Sequence, residues 1–196
     1  MKRIAAVLLA VVLAFSMSAC GEKVDPEIQK KNEEALAGIN KDYIGQYLGD
    51  GTYQFEDITY KVNQNWEVKL SPMLNNSNSF SYWISPKDGP FIKAMFDNNI
   101  YDEQGIRDKY RRMYRGSEEI ISIGEKTINE IECIEVTYTF PLDGTDVLAY
   151  MIETFIPCSK NSSLCLSLAS NDQELLDNYK SKYYSVISSV KYTNKS

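Results

Sequence analysis

VLAYMIETFIP, residues 147–157, is the stretch on which the fold turns. Successive side chains of a strand point to opposite faces. Here both faces carry apolar groups: Leu148, Tyr150 and Ile152 on one, Ala149, Met151 and Phe155 on the other. A strand of this kind belongs to a sheet covered, at least in part, on both sides. Upstream, Ile131 to Phe140 reads as a second strand, with Pro141-Leu142-Asp143-Gly144 turning the chain between them. Downstream, Ser159 to Ser163 turns it again into Leu164 to Ala169. Strands joined by such short turns pair antiparallel.

Working outward, Ile58-Thr59-Tyr60-Lys61-Val62 and Trp66-Glu67-Val68-Lys69-Leu70 alternate with the period of half-buried strands. Phe80 to Ser85 and Phe91 to Phe96 flank a Pro/Gly turn, and Thr127-Ile128 precedes a turn at Asn129-Glu130. Tyr82 and Trp83 fall on opposite faces of one strand. Tyr101 to Arg115 predicts a helix whose inward face is Ile106, Tyr110, Met113 and Tyr114. A last helix, capped at Asn171-Asp172, aligns Leu175, Leu176, Tyr179, Tyr183 and Val186, and Val190-Lys191-Tyr192 closes the chain as a strand. The expected fold is α+β: a mostly antiparallel meander sheet of about six or seven strands flanked by two or three helices.

The order of these elements resembles the PsbP-like α/β/α-sandwich domains found in many bacterial lipoproteins. The residues carrying the resemblance are Ile58 to Val62 with Trp66, the meander strand ending in Thr137-Tyr138, and Ile187-Ser188-Ser189-Val190-Lys191-Tyr192 after a helix. Asn63 stands where the family often has proline. The resemblance implies this fold and a non-enzymatic, accessory or binding habit, with no catalytic residues to carry over.

The N-terminus supports an address. Lys2 and Arg3 precede an apolar run from Ile4 to Phe15, and Met17-Ser18-Ala19-Cys20 follows, the layout of a secretory signal. The small residues before Cys20 resemble the lipobox of a bacterial lipoprotein, with Met17 in place of the commoner Leu. That resemblance implies cleavage after Ala19, acylation of Cys20, and residence on the outer face of the bacterial cytoplasmic membrane, with the bilayer as first partner. The expected organisation is a signal peptide over 1–19, a lipidated, partly helical tether over 20–49 and an α+β sandwich domain over 50–196. Asp25-Pro26 starts the tether helix, and Gly49-Asp50-Gly51 ends it.

Composition excludes several functions. The chain of 196 residues carries a net charge of −6, and the signal removes two bases and no acid, which argues against nucleic acid. There is no histidine, so Ser-His-Asp and Cys-His catalysis and imidazole metal sites are out, and neither cofactor nor metal is expected.

The candidate sites are few. Arg107, Arg111 and Arg115 recur at helical spacing and would present three guanidiniums on one face, a docking site for an anionic envelope polymer or an acidic protein. The plainer reading is a solvated helix laced by Glu103–Arg107 and Asp108–Arg112 pairs. Cys158 and Cys165 bracket a turn and are expected to face each other as a disulfide, leaving Cys133 a lone thiol. Glu118-Glu119 and Glu132 with Glu135 read as solvated surface, and Asp97-Asn98-Asn99 as a poor match to a calcium loop. The function expected is a membrane-anchored, extracytoplasmic, non-enzymatic binding module. The alternatives are a carboxylate-dependent enzyme on envelope polymers and a small-molecule receptor lipoprotein.

Overall fold

A computed structural model describes residues 24–84, 89–142, 145, 147–158 and 160–193. The expected signal peptide, residues 1–19, and the expected acylation site, Cys20, lie outside the described residues.

Asp25 opens the first helix, α1 (Pro26–Leu36), by accepting from the Glu27 amide at 2.8 Å, with Pro26 in the first turn where its missing N–H costs nothing. Three short strands follow: β1 (Gln46–Gly49), β2 (Thr52–Phe55) and β3 (Ile58–Lys61). Gly49-Asp50-Gly51 is therefore a hairpin turn, and no helix ends there. Asp50 and Gly51 both take positive φ, and a Cβ on Gly51 would lie 2.3 Å from the Val62 carbonyl. After them come β4 (Glu67–Pro72), β5 (Asn78–Trp83) and β6 (Phe91–Asp97), then helix α2 (Glu103–Tyr114). The meander is β7 (Glu119–Ile128), β8 (Ile131–Pro141), β9 (Leu148–Cys158) and β10 (Ser162–Ser170), and helix α3 (Gln173–Ile187) and strand β11 (Lys191–Tyr192) finish the fold. Asp102 and Asp172 cap α2 and α3 through the amides of Gly105 and Leu175.

Two antiparallel sheets result. The larger has seven strands in the order β4-β5-β6-β10-β9-β8-β7, and the smaller has four in the order β1-β2-β3-β11. One face of the large sheet (Phe80, Tyr82, Ile92, Leu166) packs against the small sheet (Phe55, Tyr60) and α3 (Leu176, Tyr183) to form the main core. The opposite face meets α2 in a second, smaller core. The sheet is covered on both sides, as residues 147–157 imply, but α2 covers only part of its side.

From residue 24 onward, the segment expected as a tether belongs to the folded unit. Asn32 of α1 donates to the Trp66 carbonyl at 2.9 Å and accepts from the Val68 amide at 2.8 Å, meeting two backbone groups at the large sheet's edge. Such pairing blunts an edge that would otherwise recruit another strand. Leu36 and Ile39 pack on the main core. The expected boundary at residue 50 is thus corrected: α1 and β1, which precede it, pack as parts of the domain. Among the described residues, no helix is long and apolar enough to cross a membrane.

Candidate functional site

The face of the large sheet beneath α2 is organised in rows set by strand register. In its central row Lys93 on β6 opposes Ser167 on β10, Ser167 opposes Glu153 on β9, and Glu153 opposes Val136 on β8. One row further, Trp83, Phe91, Ala169, Met151 and Tyr138 run across five strands in the same way. On the other side Met95, Cys165, Phe155 and Ile134 form a third row. Helix α2 seats Ile106 and Tyr110 against Val136, Phe155 and Cys165. The rest of the face is left as a groove of about 830 Å³, with Lys109, Tyr110, Met113 and Tyr114 forming its helical wall. That size lies within the range of about 300–1,000 Å³ usual for small-molecule sites.

Its walls are aromatic. Tyr110 stacks on Tyr138 with centroids 4.4 Å apart, and Tyr114 on Phe140 at 4.4 Å. Trp83 stacks on Phe91 at 4.9 Å. A few polar groups interrupt this lining. Glu153 is 5% exposed and accepts a hydrogen bond from the Tyr110 hydroxyl. Burial pushes its carboxyl above the usual range, against the opposing pull of the Tyr110 hydroxyl, the Lys109 ammonium, the Tyr138 hydroxyl and Lys93. Burial also drives the Tyr110 and Tyr138 hydroxyls far upward, so both remain donors at any ordinary pH.

Lys109 is committed elsewhere: its ammonium lies 2.6 Å from Asp97 and over the rings of Tyr101 and Phe155. Burial acts to raise the Asp97 carboxyl, but the hydrogen bond and charge of Lys109, with Asn99 and Tyr101, hold it below the carboxylate range. This engagement replaces the calcium loop considered at Asp97-Asn98-Asn99. By contrast, the Ser167 hydroxyl, on a residue only 1% exposed, has no hydrogen-bond partner, and neither has the Trp83 Nε1. Lys93 makes no ion pair among the described residues.

The residues singled out in the sequence fare unevenly. Arg107 is half-buried and Arg111 exposed on α2, where, among the described residues, the one ion pair of its arginines joins Arg111 to Asp108 at 3.8 Å. Arg115 lies beyond the helix in a left-handed conformation, φ 55°, so the three guanidiniums do not continue one helical face. Met113, expected inward, is 55% exposed because α2 overhangs the groove at that point.

The Cys158–Cys165 staple is corrected. The three described cysteines, Cys133, Cys158 and Cys165, are free and buried, Cys158 opposes Ser162, and Cys165 opposes Phe155. The turn is tighter than expected, which shifts the register. The two thiols then face different cores, Cys158 the main one and Cys165 the one under α2. Cys133 remains a lone thiol, 3.0 Å from the Lys126 carbonyl, and burial pushes it up to about 11.

Glu132 is exposed as expected. Glu135 is not plain surface: it is half-buried, paired with Lys126 at 2.9 Å and bonded by Tyr184 at 3.0 Å. Glu118 is half-buried too, and its Oε2 has no partner. Of the tyrosines, Tyr53, Tyr60, Tyr82 and Tyr183 are core, whereas Tyr110, Tyr114 and Tyr138 line the groove. Glu56, Asp57 and Cys158 bring possible metal-ligand atoms within 4.8 Å of one another. The Cys158 thiol, raised by burial and then by the two acids to about 12, opposes the thiolate such a site requires.

Sequence reasoning missed Glu153, Ser167 and Lys93. The available signal was Glu153 itself, the one acid on the otherwise apolar face of residues 147–157.

No family model matches the chain, and no curated protein matches it in sequence. Solved structures resemble it in fold. The cyanobacterial PsbP (CyanoP) from Synechocystis sp. PCC 6803 aligns with TM-score 0.50 and 11% identity, over 74% of this chain and 95% of that one. LpqN of Mycobacterium tuberculosis, described as involved in cell envelope biogenesis, aligns with TM-score 0.49 and 13% identity over 70% and 83%. At 11% identity the likeness to CyanoP is one of architecture, and it matches the fold expected from the strand order. The chain has the PsbP-like α+β sandwich fold.

Proposed function

We propose that the protein is a lipid-anchored, extracytoplasmic binding module, attached through Cys20, whose ligand site is the groove between α2 and the large sheet. The observation that carries this reading is the groove's lining: a broad aromatic and apolar surface around a buried, unpartnered Ser167 hydroxyl. Buried polar groups are paired in the great majority of cases, and a lone one at the floor of an apolar cleft is a specificity point awaiting a partner.

Two-carboxylate chemistry on envelope polymers is less well supported. It needs a second acid across the cleft, and Glu153 is the one acid among the described residues lining this groove. Anchoring at Cys20 would place the domain close to the lipid. Gly21 to Asp25 separate the acylated residue from α1, a reach of roughly 17 Å even when fully extended. A domain held this near the bilayer meets amphiphilic molecules first.

The test is binding of a neutral naphthylamine dye, whose fluorescence rises in apolar surroundings, to wild type and to Ala169→Trp. Ala169 lies in the groove lining, next to Met151 in the row across the sheet, and an indole there would obstruct the groove at that row. The expected result is a saturable signal with wild type that the variant loses while keeping its far-UV circular dichroism. Equal dye binding by both folded proteins would place the site elsewhere.

A further inference from the structure

We infer that the groove holds a single long acyl chain ending in a carboxylate, with the head group between Lys93 and Ser167. This rests on the groove being the ligand site and names the chemistry it selects.

The hydrogen-bonding groups of the lining fall into two sets. Some are already engaged: Tyr110 donates to Glu153, Tyr114 and Tyr138 share a bond at 3.2 Å, and Lys109 holds Asp97 at 2.6 Å. Set apart from these on the groove floor are three groups able to donate: the Ser167 hydroxyl and the Trp83 Nε1–H, both buried without a partner, and the Lys93 ammonium, which has no ion pair among the described residues. Unused donors select a ligand head made of acceptors. Burial favours the neutral form of neighbouring Glu153, so the Lys93 ammonium, without an ion pair, selects a head that is anionic, and a single ammonium balances the single charge of a carboxylate better than a doubly charged phosphate monoester.

Geometry agrees. Lys93 and Ser167 are directly opposed partners on β6 and β10, so both side chains leave the same face of the sheet side by side. Cross-strand partners have Cα atoms about 4.5–5.5 Å apart, a spacing at which two donors share one carboxylate.

The neighbouring row supplies the track for the chain. Phe91, Ala169, Met151 and Tyr138 lead across β6, β10, β9 and β8. That traverse covers three strand spacings of about 4.8 Å each. It ends where Phe140, Met113 and Leu142 form the groove's far lip, with Met113 55% and Leu142 37% exposed. A linear hydrocarbon fits a track of this shape better than a compact polycycle, and the exposed lip gives a long tail a way out.

The experiment is isothermal titration of palmitate and of methyl palmitate into the full chain carrying Cys20→Ser, which removes the acylation site and leaves the described domain untouched. Lys93→Met and Ser167→Ala are run alongside, with melting temperature as the folding control. The expected outcome is one palmitate per protein, and methyl palmitate weaker by roughly tenfold or more, the usual worth of a lost charge-assisted hydrogen bond. Each variant is expected to weaken palmitate by a similar factor at unchanged melting temperature, with little effect on the ester. If the ester binds as tightly as palmitate, the carboxylate assignment falls and the groove stands as a site for apolar molecules. If neither binds the folded protein, both readings fall. If palmitate binds and neither variant weakens it, the placement of the head group between Lys93 and Ser167 is wrong.

Discussion

Cys158 and Cys165 sit on opposite sides of the same strand pair, Cys158 across from Ser162 and Cys165 across from Phe155. Phe155, the partner of Cys165, lies three residues from Cys158 along β9, and an odd separation within one strand reverses the face, so this register cannot bring the thiols together. Denaturation without reductant should expose three titratable thiols beyond Cys20. Ser162→Cys should form the staple that Cys165 cannot, because directly opposed partners fall within disulfide reach. Oxidised Ser162→Cys should then show two thiols; four would place Ser162 and Cys158 out of register.

Glu153 ties stability to pH with a definite sign. Burial raises its folded pKa, so between the unfolded value near about 4.3 and that raised value the native state binds more protons than the unfolded state. Stability from this group is complete below about 4.3 and declines as pH rises through the folded pKa. Lys93, Lys109, Tyr110, Tyr138 and Cys165 face the carboxyl. Glu153→Gln keeps an acceptor for Tyr110 and cannot ionise. Urea midpoints followed from pH 4 to 8 should therefore decline more steeply in wild type than in the variant, and parallel curves would contradict the assignment.

Asn32 is where the docking of α1 can be measured. Replacing it with Ala strips partners from the Trp66 carbonyl and the Val68 amide. The expected loss is about 1–3 kcal/mol in urea unfolding at an unchanged m-value. No loss would return α1 to the role of a detached stalk.

The arginines of α2 are separable from the groove. Arg111 and Arg115 are exposed and do not line it, and Arg107 is half-buried on the helix. The triple variant Arg107→Ala, Arg111→Ala, Arg115→Ala should bind the apolar dye as wild type does. Covalent capture on intact cells then reports separately on an acidic partner: identical captured sets would remove the docking role.

Cys20 yields a mass. Intact mass spectrometry of the membrane fraction should show a chain beginning at Cys20 and heavier than its sequence by acyl groups, and an unmodified N-terminus near this position would overturn the anchor.

Much of the fold is legible in local chemistry. The caps at Asp25 and Asp172, the turn at Asn129-Glu130 with both residues at positive φ, and the alternation of the meander strands are short-range signals. The β1–β2 hairpin was hidden because Gly49-Asp50-Gly51 serves equally as a helix stop or a turn. Ile39, Tyr43 and Tyr47 also happen to prolong the helical spacing past Leu36, where α1 ends. The groove was legible only in part. An acid on an apolar strand face is visible in residues 147–157, but its company is not. Lys93 and Ser167 meet through the pairing of β6 with β10, a long-range register that no local pattern encodes.

That same pairing has a kinetic side. β4 to β6 form one run of hairpins and β7 to β10 another, each closed by neighbours in sequence, whereas the seam of Phe91–Asp97 with Ser163–Ala169 spans the helix and the whole meander. Contacts so distant in sequence form late and at high entropic cost. Lys93 and Ser167 stand on the two sides of this seam, so their juxtaposition exists only once the two halves of the large sheet have joined. Occupancy of the groove would act as a zipper pull across the two halves: it would slow their separation, and a half-assembled protein would offer a ligand no site.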